Sequence, residues 1–208
     1  MRIFLVRHGQ SIGNVDKTAY VKNHDHELVL TDKGLQDAWD AGNKIKKLIT
    51  DPVHHLDIHR SAYVRATQTS NVVSNNLQSN YQCNIFTPTP LIREREWGKL
   101  RDIALAGDKN DDHFGFYHRP DGGESYADVY QRAAIFHQTL KGRDNVVVAH
   151  AEFNKVYAMF LLGWTVDEFE QCANQHNGEV WLIENGNYPR FSIFFLWLQS
   201  AQIFPPNY

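Results

Sequence analysis

Cysteine is scarce in this chain. Cys83 and Cys172 are the only two, they share no CxxC spacing, and no metal-ligand pattern surrounds either. Nothing points to a disulfide scaffold, and two buried or incidental thiols are the reading. Excess charge is missing too: 21 Lys and Arg against 24 Asp and Glu leave a net −3. A nucleic-acid partner usually leaves a strongly basic footprint, so none is expected. A local cluster of Arg and His can still draw anions into a cleft, because the field there need not follow net charge. Long apolar runs are absent. Ile3 to Val6 is too short for a signal-peptide core and is followed by no small-residue cleavage site. The run Phe191 to Leu198 is far short of a membrane span. The expectations are therefore no membrane partner and a cytoplasmic location. Internal repeats, low-complexity tracts and heptad arrays are also lacking, and no linker divides the 208 residues, so 1–208 reads as one domain.

What is present is an alternation of short apolar runs with amphipathic stretches, the pattern of a layered α/β domain. Ile3 to Val6 has strand length and ends abruptly at Arg7-His8-Gly9-Gln10-Ser11. A buried strand delivering a polar loop is what the carboxyl edge of a parallel sheet provides, and open α/β folds bind ligands there. Thr31 is placed to cap a helix to about Ile49, with Leu35, Ala38, Trp39, Gly42, Ile45 and Leu48 at helical spacing. Leu56 to His59 is a weak strand, Tyr63 to Leu77 a helix, and Ile85-Phe86 a short strand closed by Pro88 and Pro90. Residues 93–123 turn charged and Gly-rich, with Asp108, Lys109, Asp111 and Asp112 together, and read as a substrate-selecting surface excursion.

Ser125 starts the next helix, with Asp128 at capping-box spacing, and that helix reaches about Leu140. Val146 to Ala149 is the clearest buried strand and again ends at a histidine, His150. Helices follow at about Phe153–Leu161 and Val166–Ala173, the second capped by Thr165 with Glu168. Val180 to Glu184 and Phe191 to Leu198 read as two last strands, and the Asn185-Gly186-Asn187 turn between them makes a hairpin.

Two buried strands thus deliver His8 and His150 to the same edge, and Arg65 begins a helix after a strand. Two imidazoles, the guanidiniums of Arg7 and Arg65 and a helix N-terminus together favour a phosphate dianion. At these residues the chain resembles the histidine phosphatase superfamily, also called phosphoglycerate mutase-like. The matching segments are Leu5 to Ser11, Leu30 to Ala38, Ser61 to Thr69, Arg93 to Gly98, Gly122 to Ser125 and Val147 to His150. Their order and spacing follow the family from residue 2 to about residue 185. Six ordered matches carry far more weight than one Arg-His-Gly.

The resemblance implies a three-layer α/β/α sandwich with a mostly parallel sheet and an antiparallel edge. It also implies roles that the chemistry supports. His8 is the nucleophile, unprotonated beside cations and forming a phosphohistidine. Arg7, Arg65 and His150 grip the equatorial oxygens, with Asn14 and the loop residues Gly9, Gln10 and Ser11 adding to the phosphate pocket. Glu94 aligns with the general acid, and Glu96, two positions on, is its rival. No cofactor and no metal are called for. His24-Asp25-His26-Glu27 and His54-His55-Leu56-Asp57-Ile58-His59 carry ligand types but no ligand spacing, and read as solvated loop or strand-flank residues. His113, His118 and Arg119 read as exposed, and Glu124 with Ser125 as ordering a helix start. Trp97, Phe114, Phe116 and Tyr117 line a pocket mouth or cover the core.

One departure stands out. The family usually has Gly after the second histidine, whereas this chain has Ala151-Glu152, which brings a carboxylate near the pocket. A mutase usually takes a longer insertion with extra arginines, whereas between Gly98 and Gly123 the chain is short, acidic in its middle and offers only the arginines Arg101 and Arg119, which favours water access and hydrolysis. Gly122 to Tyr130 and Leu162 to Phe169 are similar to a subgroup of broad-range acid phosphatases. The expected partner is a small-molecule phosphate ester, with a phosphoprotein as a further class and a homodimer through the edge strand 191–198. Two alternatives are a phosphoglycerate mutase-type phosphotransferase and a catalytically silent member that binds a phosphorylated ligand. The silent reading predicts loss of a pocket residue, and Arg7, His8, Arg65, Glu94 and His150 are all there.

Overall fold

The computed structural model describes residues 1–50, 55–98 and 115–184. Five strands form one sheet: β1 (Arg2–Arg7), β2 (His55–Arg60), β3 (Gln82–Ile85), β4 (Asp144–Ala149) and β5 (Val180–Glu184), in spatial order β3-β2-β4-β1-β5. Every neighbouring pair is parallel except β1 with β5, which run antiparallel at one edge. Helices α1 (Ile12–Val15), α2 (Ala19–Lys22), α3 (Asp32–Leu48), α4 (Val64–Leu77), α5 (Tyr126–Thr139), α6 (Ala151–Leu162) and α7 (Val166–Gln171) connect and cover it. The protein is a three-layer α/β/α sandwich, as the resemblance implied.

The layers follow from the two-residue period of a strand. Ile3, Leu5, Val147 and Ala149 point to one face and pack with Phe136 of α5 and Phe153, Val156 and Tyr157 of α6. Phe4, Val6, Val146, Val148, Leu56 and Ile58 point to the other, against Ala41 and Ile45 of α3 and Val73 and Leu77 of α4. Burial on both faces explains why β1 and β4 read as unbroken apolar runs rather than alternating ones.

Most element boundaries fall within two residues of expectation. Thr31 caps α3, its Oγ1 accepting from Gly34 N at 3.1 Å, and Ser125 caps α5 in a capping box with Asp128. Thr165 and Glu168 make the same box at α7, and β5 has the expected span. The apolar face of α3 needs correction. Gly34, Ala38, Ala41, Gly42 and Ile45 are buried, whereas Leu35 and Trp39 are about half exposed. The seam against α4 and the 8–11 loop is so close that small side chains occupy it, and the large ones sit one position round the helix. The flanks of the 93–123 excursion are also less superficial than expected, since Arg95 and Phe116 are buried. Asp108, Lys109, Asp111, Asp112, Arg101, His113, Phe114, His54, the 185–187 turn and the strand at 191–198 lie outside the described residues. Among the described residues, no helix is long and apolar enough to cross a membrane.

One backbone contact ties α3 to the loop after β1. A Cβ at Gly34 would lie 2.0 Å from Gln10 O, and one at Gly9 would lie 2.1 Å from Gly34 O. Neither position has room for a methyl group. Gly34→Ala is expected to destabilise the protein by about 1–3 kcal/mol in urea denaturation. Gly142→Ala, which meets nothing within 4 Å, is the control and is expected to stay within about 0.5 kcal/mol of the parent.

Candidate active site

The sheet ladder continues past the strand ends and thereby assembles the site. His8 N donates to Ala149 O at 3.0 Å, and Ser61 N donates to Val148 O at 3.0 Å. The turns after β1, β2 and β4 are thus held side by side at the carboxyl edge. The rings of His8 and His150 lie 5.2 Å apart, edge to face. Both histidines are buried.

His8 is oriented from both ends. Its Nδ1 lies 2.7 Å from the Gly9 carbonyl, which accepts only, so Nδ1 carries the proton and Nε2 a lone pair. Arg65 Nε donates to that lone pair at 3.1 Å. Burial, then the guanidiniums of Arg65 and Arg7, hold the His8 imidazole well below its ordinary pKa. His150 is lowered in the same way, by burial first and then by Arg65. Both rings are neutral at physiological pH.

Arg65 is anchored by Asp25, its Nη1 donating to the backbone oxygen and to Oδ1 at 2.9 Å. Arg7 Nη1 donates to Gln175 O, while its Nε is buried with no hydrogen-bond partner among the described residues. Gln175 is itself pinned, donating from Nε2 to Leu5 O at 2.9 Å and accepting from Asn154 at 2.7 Å. Tyr63 packs edge-on against His150 at 4.9 Å and beneath the Arg65 guanidinium at 5.0 Å.

The two candidate acids separate clearly. Glu94 Oε1 accepts from Arg95 N at 3.0 Å and from Phe153 N, in the first turn of α6, at 3.3 Å. Burial, and next the charge of Glu152, push its carboxyl up to about 7. Glu96 is exposed and makes a backbone pair with Glu124. Glu152 is buried, with Oε1 accepting from Asn174 at 2.7 Å, so the carboxylate after the second histidine does enter this neighbourhood. Gly98, four residues beyond Glu94, has φ +53°, and a Cβ there would lie 2.3 Å from Asp121 O. Gly98 and Asp121 are therefore closely apposed.

The remaining loop residues mostly shape the turn. Gly9 N donates to Thr69 Oγ1 at 3.0 Å, and Gln10 N donates to Asp37 at 3.0 Å. Ser11 is buried and donates from N and Oγ to Asn14 Oδ1. Asn177 donates to that oxygen and to His8 O, so the Asn14 amide nitrogen is the end these contacts leave unused. Glu124 pairs with Arg93 and Arg132 and Arg119 with Asp128, while Phe116 joins the core and Tyr117 is exposed. Sequence reasoning missed Asp25, Gln175 and Asn177, whose contacts come from turns distant in the chain. Asp25 was read as solvated, yet it holds Arg65. Ser61 and Tyr63 lay inside a quoted motif without a role.

The family model described as "Histidine phosphatase superfamily (branch 1)" matches residues 3–190. The chain belongs to the histidine phosphatase superfamily. It is 31% identical over 214 residues to "Phosphoglycerate mutase-like protein AT74" of Arabidopsis thaliana, covering 92% of this chain and 67% of that one. It is 37% identical over 109 residues to "Broad-range acid phosphatase DET1" of Saccharomyces cerevisiae, covering 46% and 33%. The fold of this histidine phosphatase family member matches that of a mycobacterial glucosyl-3-phosphoglycerate phosphatase with TM-score 0.64 at 17% identity, covering 88% and 90%. Among its described residues, no group of three or more His, Cys, Asp or Glu is placed to hold a metal ion.

The raised Glu94 carboxyl has a consequence for stability. A carboxyl that ionises near 7 when folded but near its ordinary value when unfolded weakens the fold as pH rises between those values. Glu94→Gln is expected to raise Tm at pH 8 and to leave it nearly unchanged at pH 4, as measured by thermal denaturation.

Proposed function

We propose that the protein is a phosphatase that hydrolyses phosphate monoesters through a phosphohistidine on His8. The observation that carries this reading is the desolvated, neutral His8 with its Nε2 lone pair facing Arg65 and the His150 ring beside it. In the first step Nε2 attacks phosphorus and forms the N–P bond as the ester O–P bond breaks. Glu94 gives its proton to the leaving oxygen. Arg7 and Arg65 balance the charge on the equatorial oxygens, and His150 donates to one of them. In the second step Glu94 takes a proton from water, whose oxygen attacks phosphorus. The N–P bond breaks, inorganic phosphate leaves, and the lone pair returns to Nε2.

Hydrolysis is favoured over transfer because the stretch between Gly98 and Gly123 is short, is acidic in its middle and carries only two arginines, Arg101 and Arg119. The similarity to a relative named as a broad-range acid phosphatase supports the same choice. Small phosphate esters are the proposed substrates, with a phosphoprotein as the further class, and the two arginines supply the positive charge that the reaction requires.

His8→Ala is expected to abolish release of inorganic phosphate from an aryl phosphate, a loss of at least about a thousandfold. Equal turnover by the variant would overturn the mechanism. Transfer between phosphoglycerates without net phosphate release would favour the mutase. With an alkyl phosphate, kcat/KM is expected to fall as pH rises through about 7, because Glu94 loses the proton that the leaving group needs. An aryl phosphate, with its better leaving group, should show a weaker fall in the same pH series. Turnover is expected to survive exhaustive treatment with a chelator.

A further inference from the structure

His150 Nε2 lies 2.8 Å from Ser61 Oγ, and both residues are fully buried. The direction of that hydrogen bond follows from what surrounds the hydroxyl. Tyr63 N points at Ser61 Oγ from 3.3 Å and donates to it, occupying one lone pair. Two arrangements then remain. If His150 donated from Nε2, Ser61 would accept twice and its own hydrogen would be buried with no acceptor among the described residues. A buried unmade hydrogen bond costs about 1–3 kcal/mol. If instead Ser61 donates to Nε2, its hydroxyl is satisfied in both directions. The ring proton of His150 then sits on Nδ1.

His150 Nδ1 is itself buried and has no hydrogen-bond partner among the described residues. We propose that Ser61 is a positioning residue that fixes His150 as the Nδ1–H tautomer, so that a neutral ring presents a donor to the phosphoryl oxygen. The inference rests on the proposed seat of the phosphoryl group between His8 and His150. The opposite tautomer would put a lone pair against an anionic oxygen. His8 carries its proton on the same ring atom, through Gly9 O, yet presents Nε2. One tautomer thus serves two ends: a nucleophile in His8 and a donor in His150. The Tyr63 ring, 4.9 Å away and edge-on, packs against the imidazole and limits its rotation.

The test reads the tautomer directly. Histidine-selective 15N labelling with long-range 1H–15N correlation reports which nitrogen of each ring is protonated, and His150→Gln assigns the His150 signals. The wild type is expected to show His150 protonated on Nδ1. Ser61→Ala is expected to shift it toward Nε2–H and to weaken binding of inorganic phosphate about tenfold. Ser61→Thr, which keeps the hydroxyl, is expected to restore both. A wild-type His150 protonated on Nε2 overturns the proposal whatever the variants do, including a variant that fails to fold. An alanine variant that keeps either the wild-type tautomer or the wild-type phosphate affinity overturns it as well. Absence of phosphatase turnover would sink the proposed function and leave these two readouts standing.

Discussion

The amide of His8 donating to the carbonyl of Ala149 is the contact on which the site depends. It extends the parallel β1–β4 ladder one step beyond the strands and brings residues 8 and 150, far apart in the chain, beside each other. The pairing register, Ile3 with Asn145 through Arg7 with Ala149, decides this. A slip of one residue would put Leu5 and Val147 on opposite faces of the sheet and carry the histidines out of line. The site and the core are therefore held by the same constraint.

Around that contact the protein concentrates polar groups at low dielectric. Such a site is costly unless each group is held, and three of the holders, Asp25, Gln175 and Phe153, lie outside the motifs. Asp25 holds Arg65, Gln175 holds Arg7, Gly9 O holds the His8 proton, and Phe153 N holds Glu94. Desolvation then lowers the two imidazoles and raises the Glu94 carboxyl. The three groups respond to burial in opposite senses because a neutral imidazole and a neutral carboxyl are both the uncharged form. One physical cause thus prepares the proposed nucleophile and the proposed acid together.

Glu152 modifies this balance. A residue with a carboxylate, placed two after the second histidine, adds negative charge to a neighbourhood that already contains Glu94. Its charge favours the protonated form of Glu94 and is itself partly balanced by the hydrogen bond from Asn174. The carboxylate that comes with this departure from the family pattern thus acts on the proton affinity of Glu94.

The apolar runs of β1 and β4, the caps at Thr31, Ser125 and Thr165 and the motif residues Arg7, His8, Arg65, Glu94 and His150 were legible in the chain. They depend on local periodicity, local hydrogen bonding or a quoted motif. The small-residue seam of α3 was misjudged because periodicity marks an apolar stripe without saying how close the neighbouring backbone comes. Ser61, Asp25, Gln175 and Asn177 carried no local signal, since a serine or an acid in a turn looks the same whether or not a distant group docks on it. The sequence by itself determined which chemical groups are available and which faces are apolar. Only the tertiary structure decided what each histidine nitrogen meets, which glutamate is desolvated and what anchors each guanidinium, because those properties belong to contacts between segments remote along the chain.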